Sequence, residues 1–131
     1  MVVFNYSGVF NIPAGVSRIK VTVVGGGGSV SQNTYNTSNA SAGATAISVI
    51  DVKNGGQALI TVGTGAPYVY ASNGQGGDSI FYYNGVNVIG GGGGTNCCST
   101  ASGGQLNMNG FSNTKISYSS SPTPSFPPES E

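Results

Sequence analysis

Apolar residues recur along this chain with a period of two, the spacing of strands that bury one face. Residues 16–24 alternate most cleanly, with Ile19, Val21 and Val23 on one side and Arg18, Lys20 and Thr22 on the other. Gln57–Val62 repeats the pattern with Ala58, Ile60 and Val62 inward. Ser79–Tyr83 and Val86–Ile89 flank Asn84-Gly85, a pair that tolerates the positive φ angles of a two-residue type I′ hairpin. Shorter runs at Val2–Tyr6, Val9–Ile12 and Lys115–Ser119 read as further strands. Ala44–Lys53 is apolar and β-branched but breaks alternation, since Ile47 and Val49 share one parity while Ile50 and Val52 share the other. That predicts a bulge near Ile50 or burial of both faces. Pro13-Ala14-Gly15 predicts a turn, and Asn54-Gly55-Gly56 predicts a hairpin between the strands on either side of it. No window favours a helix, because Gly, Ser, Thr and Asn fill the space between strands. The expected fold is all-β, an antiparallel, jelly-roll-like β-sandwich with glycine-rich loops.

The connections change that picture. Stretches 25–43 and 90–114 read as polar Gly/Ser/Asn loops, long for a compact domain. Residues 1–118 form the expected domain, and 119–131, with Pro122, Pro124, Pro127 and Pro128, an extended arm. Strand 16–24 runs straight into Gly25, Gly26, Gly27 and Gly28; strand 86–89 runs into Gly90, Gly91, Gly92, Gly93 and Gly94. Glycine tracts are entropically costly unless something orders them. Direct backbone-to-backbone packing is one solution, within one chain or between copies, and the alternative is plain flexible loops. A phosphate cradle is disfavoured, because neither tract ends in Gly-Lys-Ser/Thr or opens a helix.

Composition then narrows the chemistry. The 131 residues include four Lys or Arg, four Asp or Glu, 23 Gly, no His and no Trp. Without imidazole, acid–base and metal chemistry lose their commonest carrier, so no catalytic residue, metal site or cofactor is expected. Asp51 and Asp78 are the only carboxylates outside the arm. Asp78 follows Gly76-Gly77 in a turn context and Asp51 neighbours Lys53, both structural settings. The cations Arg18, Lys20, Lys53 and Lys115 are too few for a nucleic-acid footprint. No apolar run reaches the roughly 18 residues of a membrane span, and no secretory signal is visible. Cys97 and Cys98 are adjacent and read as free thiols or as an intersubunit pairing. So little charge predicts a surface partly hidden in a homo-oligomer. Tyr68, Tyr70, Tyr82 and Tyr83 lie among Asn and Ser. They are candidates for contact with a glycan or protein surface, or else cover the edge of the core. Asn5, Asn36 and Asn39 head glycosylation sequons, which matter only for an exported protein.

Three runs in order carry a family resemblance. They are Phe10–Gly28, with Pro-Ala-Gly-Val before the strand and glycine tract; Val52–Gly65, with Gly-Gly-Gln before Thr-Val-Gly-Thr-Gly; and Gly76-Gly77-Asp78-Ser79-Ile80-Phe81 followed by Gly90–Gly94. Over roughly residues 4–95 the chain resembles the glycine-rich domain of bacteriophage tail-fibre and other virion proteins. It departs where the first glycine run gives way to Ser, Asn and Thr, and where Tyr82-Tyr83-Asn84-Gly85 adds a hairpin. The resemblance implies a non-enzymatic virion structural protein, a tail-fibre or tip piece or a capsid or tail decoration, assembled in the host cytoplasm. It further implies a homotrimer, contact with other virion proteins, and a host-surface glycan or protein as possible receptor. The alternative is a subunit of a secreted extracellular filament or surface adhesin, in which Val2–Ile12 completes a neighbour's sheet by strand addition.

Overall fold

The computed structural model describes residues 1–30, 39–53, 56–67, 74–95 and 98–111. Its strands are β1 (Gly8–Asn11), β2 (Arg18–Val24), β3 (Thr45–Asp51), β4 (Gln57–Thr61), β5 (Ser79–Tyr83), β6 (Val86–Gly90), β7 (Ala101–Ser102) and β8 (Leu106–Met108). They form two sheets, five-stranded β1-β4-β5-β6-β7 and three-stranded β2-β3-β8, and every pairing is antiparallel. The protein is all-β, and the sheets stack as an open sandwich. Between them lie Val23 from β2, Ala46 and Ile50 from β3, Ala58 from β4, Phe81 and Tyr83 from β5 and Val88 from β6, with Ile12 and Val52 beside them.

The alternation read in β2 and β4 holds, since Ile19, Val21, Val23, Ala58 and Ile60 all belong to this core or pack on it. In β3 neither a bulge nor two buried faces is present. Its register with β2 runs one-to-one from Arg18↔Asp51 to Val24↔Thr45. Ala46, Ser48 and Ile50 are buried on the inner face. The apparent break came from a buried Ser48 and from Ile47 and Val49 standing on the outer face. The expected hairpin from β3 to β4 is also absent: β3 is flanked by β2 and β8, β4 by β1 and β5, so the connection crosses between sheets. Gly56 N–H donates to the Lys53 carbonyl as the chain bends across.

Two turns form as their residues demand. Asn84 and Gly85 have φ of 47° and 84°, the two positive angles of a type I′ turn. Gly15, at φ 86°, holds the third position of a turn closed by Val16 N–H on the Pro13 carbonyl.

Val2–Tyr6 forms no strand. Pairing on β4 begins at Gly8↔Ile60, and beyond Thr61 that strand leaves the sheet, so upstream residues have no edge to join there. Conversely, stretch 90–114 holds β7 and β8, strands of two and three residues that composition hid. Lys115–Ser119, the arm at 119–131 and Asn54-Gly55 lie outside the described residues.

Candidate functional site

At one end of the sandwich the strands run on into glycine. β2 continues as Gly25–Gly28, β4 as Val62–Ala66 and β6 as Gly91–Gly94, while 41–44, 74–78 and 99–100 lead into β3, β5 and β7. These extensions keep part of the sheet pairing, with Gly25 and Gly28 donating to Ala44 and Ser41 in the β2–β3 register and Gly77 to Thr64 in the β4–β5 register, and add bonds between the sheets. Gly26 N–H donates to the Gly77 carbonyl (3.0 Å), Gly76 N–H to the Gly93 carbonyl (2.8 Å), and Gly93 N–H to the Gly26 carbonyl (2.8 Å). Three segments are thus bonded pairwise in a closed triangle, whereas a strand in a sheet has neighbours on only two sides.

The network extends further. Gly25 and Gly28 donate to the Ala44 and Ser41 carbonyls, each at 2.9 Å, and Ala66 N–H donates to the Gly27 carbonyl at 2.8 Å. Ala44 and Ser41 in turn donate to the Gly91 and Gly94 carbonyls, and Gly91 N–H donates to Thr100. The result is a bundle of extended chains hydrogen-bonded in several directions, with main chain against main chain.

Glycine is required here for closeness. The described glycines with left-handed φ are Gly15, Gly85 and Gly103, none of them in the bundle. A Cβ at Gly92 would overlap the Gly76 carbonyl, one at Gly25 the Gly91 carbonyl, and one at Gly43 the Gly25 carbonyl. Collagen reserves its crowded axis for glycine on the same grounds.

Short polar side chains bind the bundle together. Ser41 Oγ accepts from Gly94 N–H (2.8 Å) and donates to the Gly94 carbonyl (3.1 Å). Ser99 Oγ donates to the Ala42 carbonyl, and Ser79 Oγ accepts from Gly63 N–H. All three serines are buried, and each has a partner, as buried hydroxyls require. Asp78 Oδ1 accepts from Gly92 N–H at 2.8 Å, so the turn role read for it becomes a brace between two tracts. Nothing in a Ser-rich sequence distinguishes these three serines from their neighbours.

The outer end of the bundle gathers chain ends. Ser29 bridges Gly74 and its Oγ donates to the Pro67 carbonyl; Ala40 bridges Thr95, whose Oγ1 donates to the Ser29 carbonyl. The chain therefore leaves the bundle beside Ser29, Pro67 and Thr95 in one place. Tyr68, Tyr70, Asn36 and Cys97 belong to the connections that start there and lie outside the described residues.

The structure divides the tyrosine set. Tyr83 is 7% exposed and its hydroxyl accepts from Lys53 N–H at 2.8 Å, which makes it a core residue. Tyr82 points outward, in a row with Val9 and Leu59 on the open face of the five-stranded sheet. Asp51 pairs with Arg18 across β2 and β3 (3.2 Å) in full view of solvent. Cys98 is a free, exposed thiol. Among the described residues no His, Cys, Asp or Glu grouping could hold a metal, and no helix is long and apolar enough to cross a membrane.

The architecture is thus a two-layer β domain with one end held by main-chain glycine contacts. The chain belongs to a family of such glycine-rich sequences: the model described as a glycine-rich domain matches residues 4–127. No curated protein and no solved structure gives a significant match.

Proposed function

We propose that this chain is a non-enzymatic structural part of a bacteriophage particle, a tail-fibre or tip piece or a capsid or tail decoration. It works by self-assembly and by contact at the outer end of its bundle. The observation that carries this reading is the bundle itself, in which the Gly26, Gly77 and Gly93 segments bond to one another main chain to main chain. Such an element is stiff and chemically inert, suited to holding a contact surface away from a base. The resemblance of Phe10–Gly28, Val52–Gly65 and the Gly76–Phe81 run to virion proteins supports the particle.

Hydrolysis is disfavoured by distance. Asp51 ends β3 at the end away from the bundle, and Asp78 sits exposed on the flank of the bundle, bonded to Gly92 N–H. The length of β3 separates them by on the order of 20 Å, beyond the roughly 5–9.5 Å of paired glycosidase carboxylates.

The native mass by light scattering tests the reading, with a trimer or larger species expected; a monomer at every working concentration would sink it. For the contact, Tyr68→Ala with Tyr70→Ala is expected to lower adsorption to host cells at least tenfold, and unchanged adsorption would remove that part. The edge of β2, which no described strand pairs, favours a second reading, an extracellular filament or adhesin subunit joined by strand addition.

A further inference from the structure

The two sheets differ in width. β2 packs over β5 and β6, and β3 over β6 and β7, so among the described residues no strand of the smaller sheet covers β4 or β1. In that place an apolar groove of about 760 Å³ opens, walled by Ile19, Val21 and Val23 of β2 and by Phe10, Ile60 and Phe81 of the facing sheet. It runs along the outer edge of β2, which among the described residues pairs only with β3 and presents backbone donors and acceptors from Arg18 to Val24. An unpaired edge beside an apolar trough selects an extended strand with alternating apolar side chains.

One segment of this chain has that chemistry and already touches the site. Met1–Phe4 borders the groove, and the Phe4 ring meets Phe10 edge-on at 5.7 Å between centroids. Yet it makes no ladder with β2, and Met1, Val2 and Val3 remain 113%, 64% and 70% exposed. The tether explains why. Ser7 is fixed on the five-stranded sheet, its Oγ accepting from Val62 N–H at 2.9 Å. Sheets stack about 10 Å apart, and residues 5–7 fully extended span about that distance. The segment's own chain therefore spends Asn5–Ser7 on the crossing and cannot lay Val2–Tyr6 along β2. A segment arriving from another molecule carries its Ser7 bond on its own sheet and has no crossing to make between the sheets of this one.

We propose that the strand position beside β2, which no described residue fills, is taken by Val2–Tyr6 of a second copy of this chain, with Val2, Phe4 and Tyr6 turned into the groove. This inference rests on the self-assembly reading and names its interface. The test uses full-length chains carrying Cys97→Ser and Cys98→Ser. A Val3→Cys chain mixed with a Thr22→Cys chain is expected to give a disulfide-linked pair in yield well above the Val3→Cys with Met108→Cys control. Phe4→Asp is expected to raise the dissociation concentration of the assembly at least tenfold with an unchanged circular dichroism spectrum. An oligomer that survives Phe4→Asp, or cross-links no better than the control, overturns this interface and leaves self-assembly through another surface standing. A monomeric wild-type chain overturns both.

Discussion

In the sandwich, Val23, Phe81 and Val88 fill the space between two sheets; in the bundle, Gly25, Gly76 and Gly92 bring main chains into contact with no side chain between them. The same strands build both regions, since β2, β4 and β6 run directly from one into the other. A sheet keeps its hydrogen bonds in one plane and sends side chains out of it, so its layers are held by apolar burial. The bundle sends hydrogen bonds in several directions and leaves no room for a side chain where two main chains meet, as at Gly25, Gly76 and Gly92. Its net gain is about 0.5–1.5 kcal/mol per hydrogen bond, set against the large conformational entropy that each glycine loses. Two regions of one molecule thus obey opposite rules: the sandwich suffers when a side chain shrinks, the bundle when one appears.

Gly92→Ala puts the greatest strain on that contrast. Its Cβ would overlap the Gly76 carbonyl, and main chain bonded on several sides cannot swing away as a flexible side chain does. The expected loss is about 3 kcal/mol or more, at the upper end for overpacking, or failure to fold. Urea denaturation measures it. A loss below about 1 kcal/mol would mean that the bundle can part at little cost, contrary to the rule drawn for it.

Val88→Ala is the counterpart in the sandwich. Val88 is fully buried between the sheets, and removing its two methyl groups leaves a cavity. About 2 kcal/mol of destabilisation is expected by the same measurement, between the Ile→Val and Leu→Ala ranges. If Val88→Ala proved costlier than Gly92→Ala, the order of rigidity between the two regions would be reversed.

How much of this was legible depends on which region is read. The sandwich announces itself through period two, because one buried face imposes that pattern on β2, β4 and β5, and Asn84-Gly85 names its own turn. β3 misled because Ser48 is buried while Val49 faces out, an inversion that neighbouring strands tolerate and periodicity cannot see. Tyr83 and Tyr82 look alike in sequence, and strand parity sends one into the core and the other out. In the bundle, the placement of glycine directly after strands was the readable signal. Which tract meets which depends on the crossings between sheets, and glycine carries no side-chain pattern to record them. Ser41 and Ser99 became meaningful only once the Gly94 and Ala42 backbones stood beside them.

The smallest expected effect gives the sharpest form of the comparison, because it lies within a single tract. Gly27 stands between Gly26 and Gly28, whose Cβ atoms would strike the Thr64 carbonyl and the Gly93–Gly94 backbone, yet a Cβ at Gly27 meets nothing within 4 Å. Its φ is not left-handed, and its carbonyl accepts from Ala66 N–H, a bond that alanine keeps. Gly27→Ala is therefore expected to change stability by no more than about 0.5 kcal/mol, or to raise it slightly, since alanine has less freedom to lose on folding. The check is the same urea midpoint, measured beside Gly26→Ala, which is expected to behave as Gly92→Ala does. If Gly27→Ala proved as damaging as Gly26→Ala, the tract would need glycine for its chain path. If only Gly26→Ala is damaging, the requirement is contact with the next chain, residue by residue.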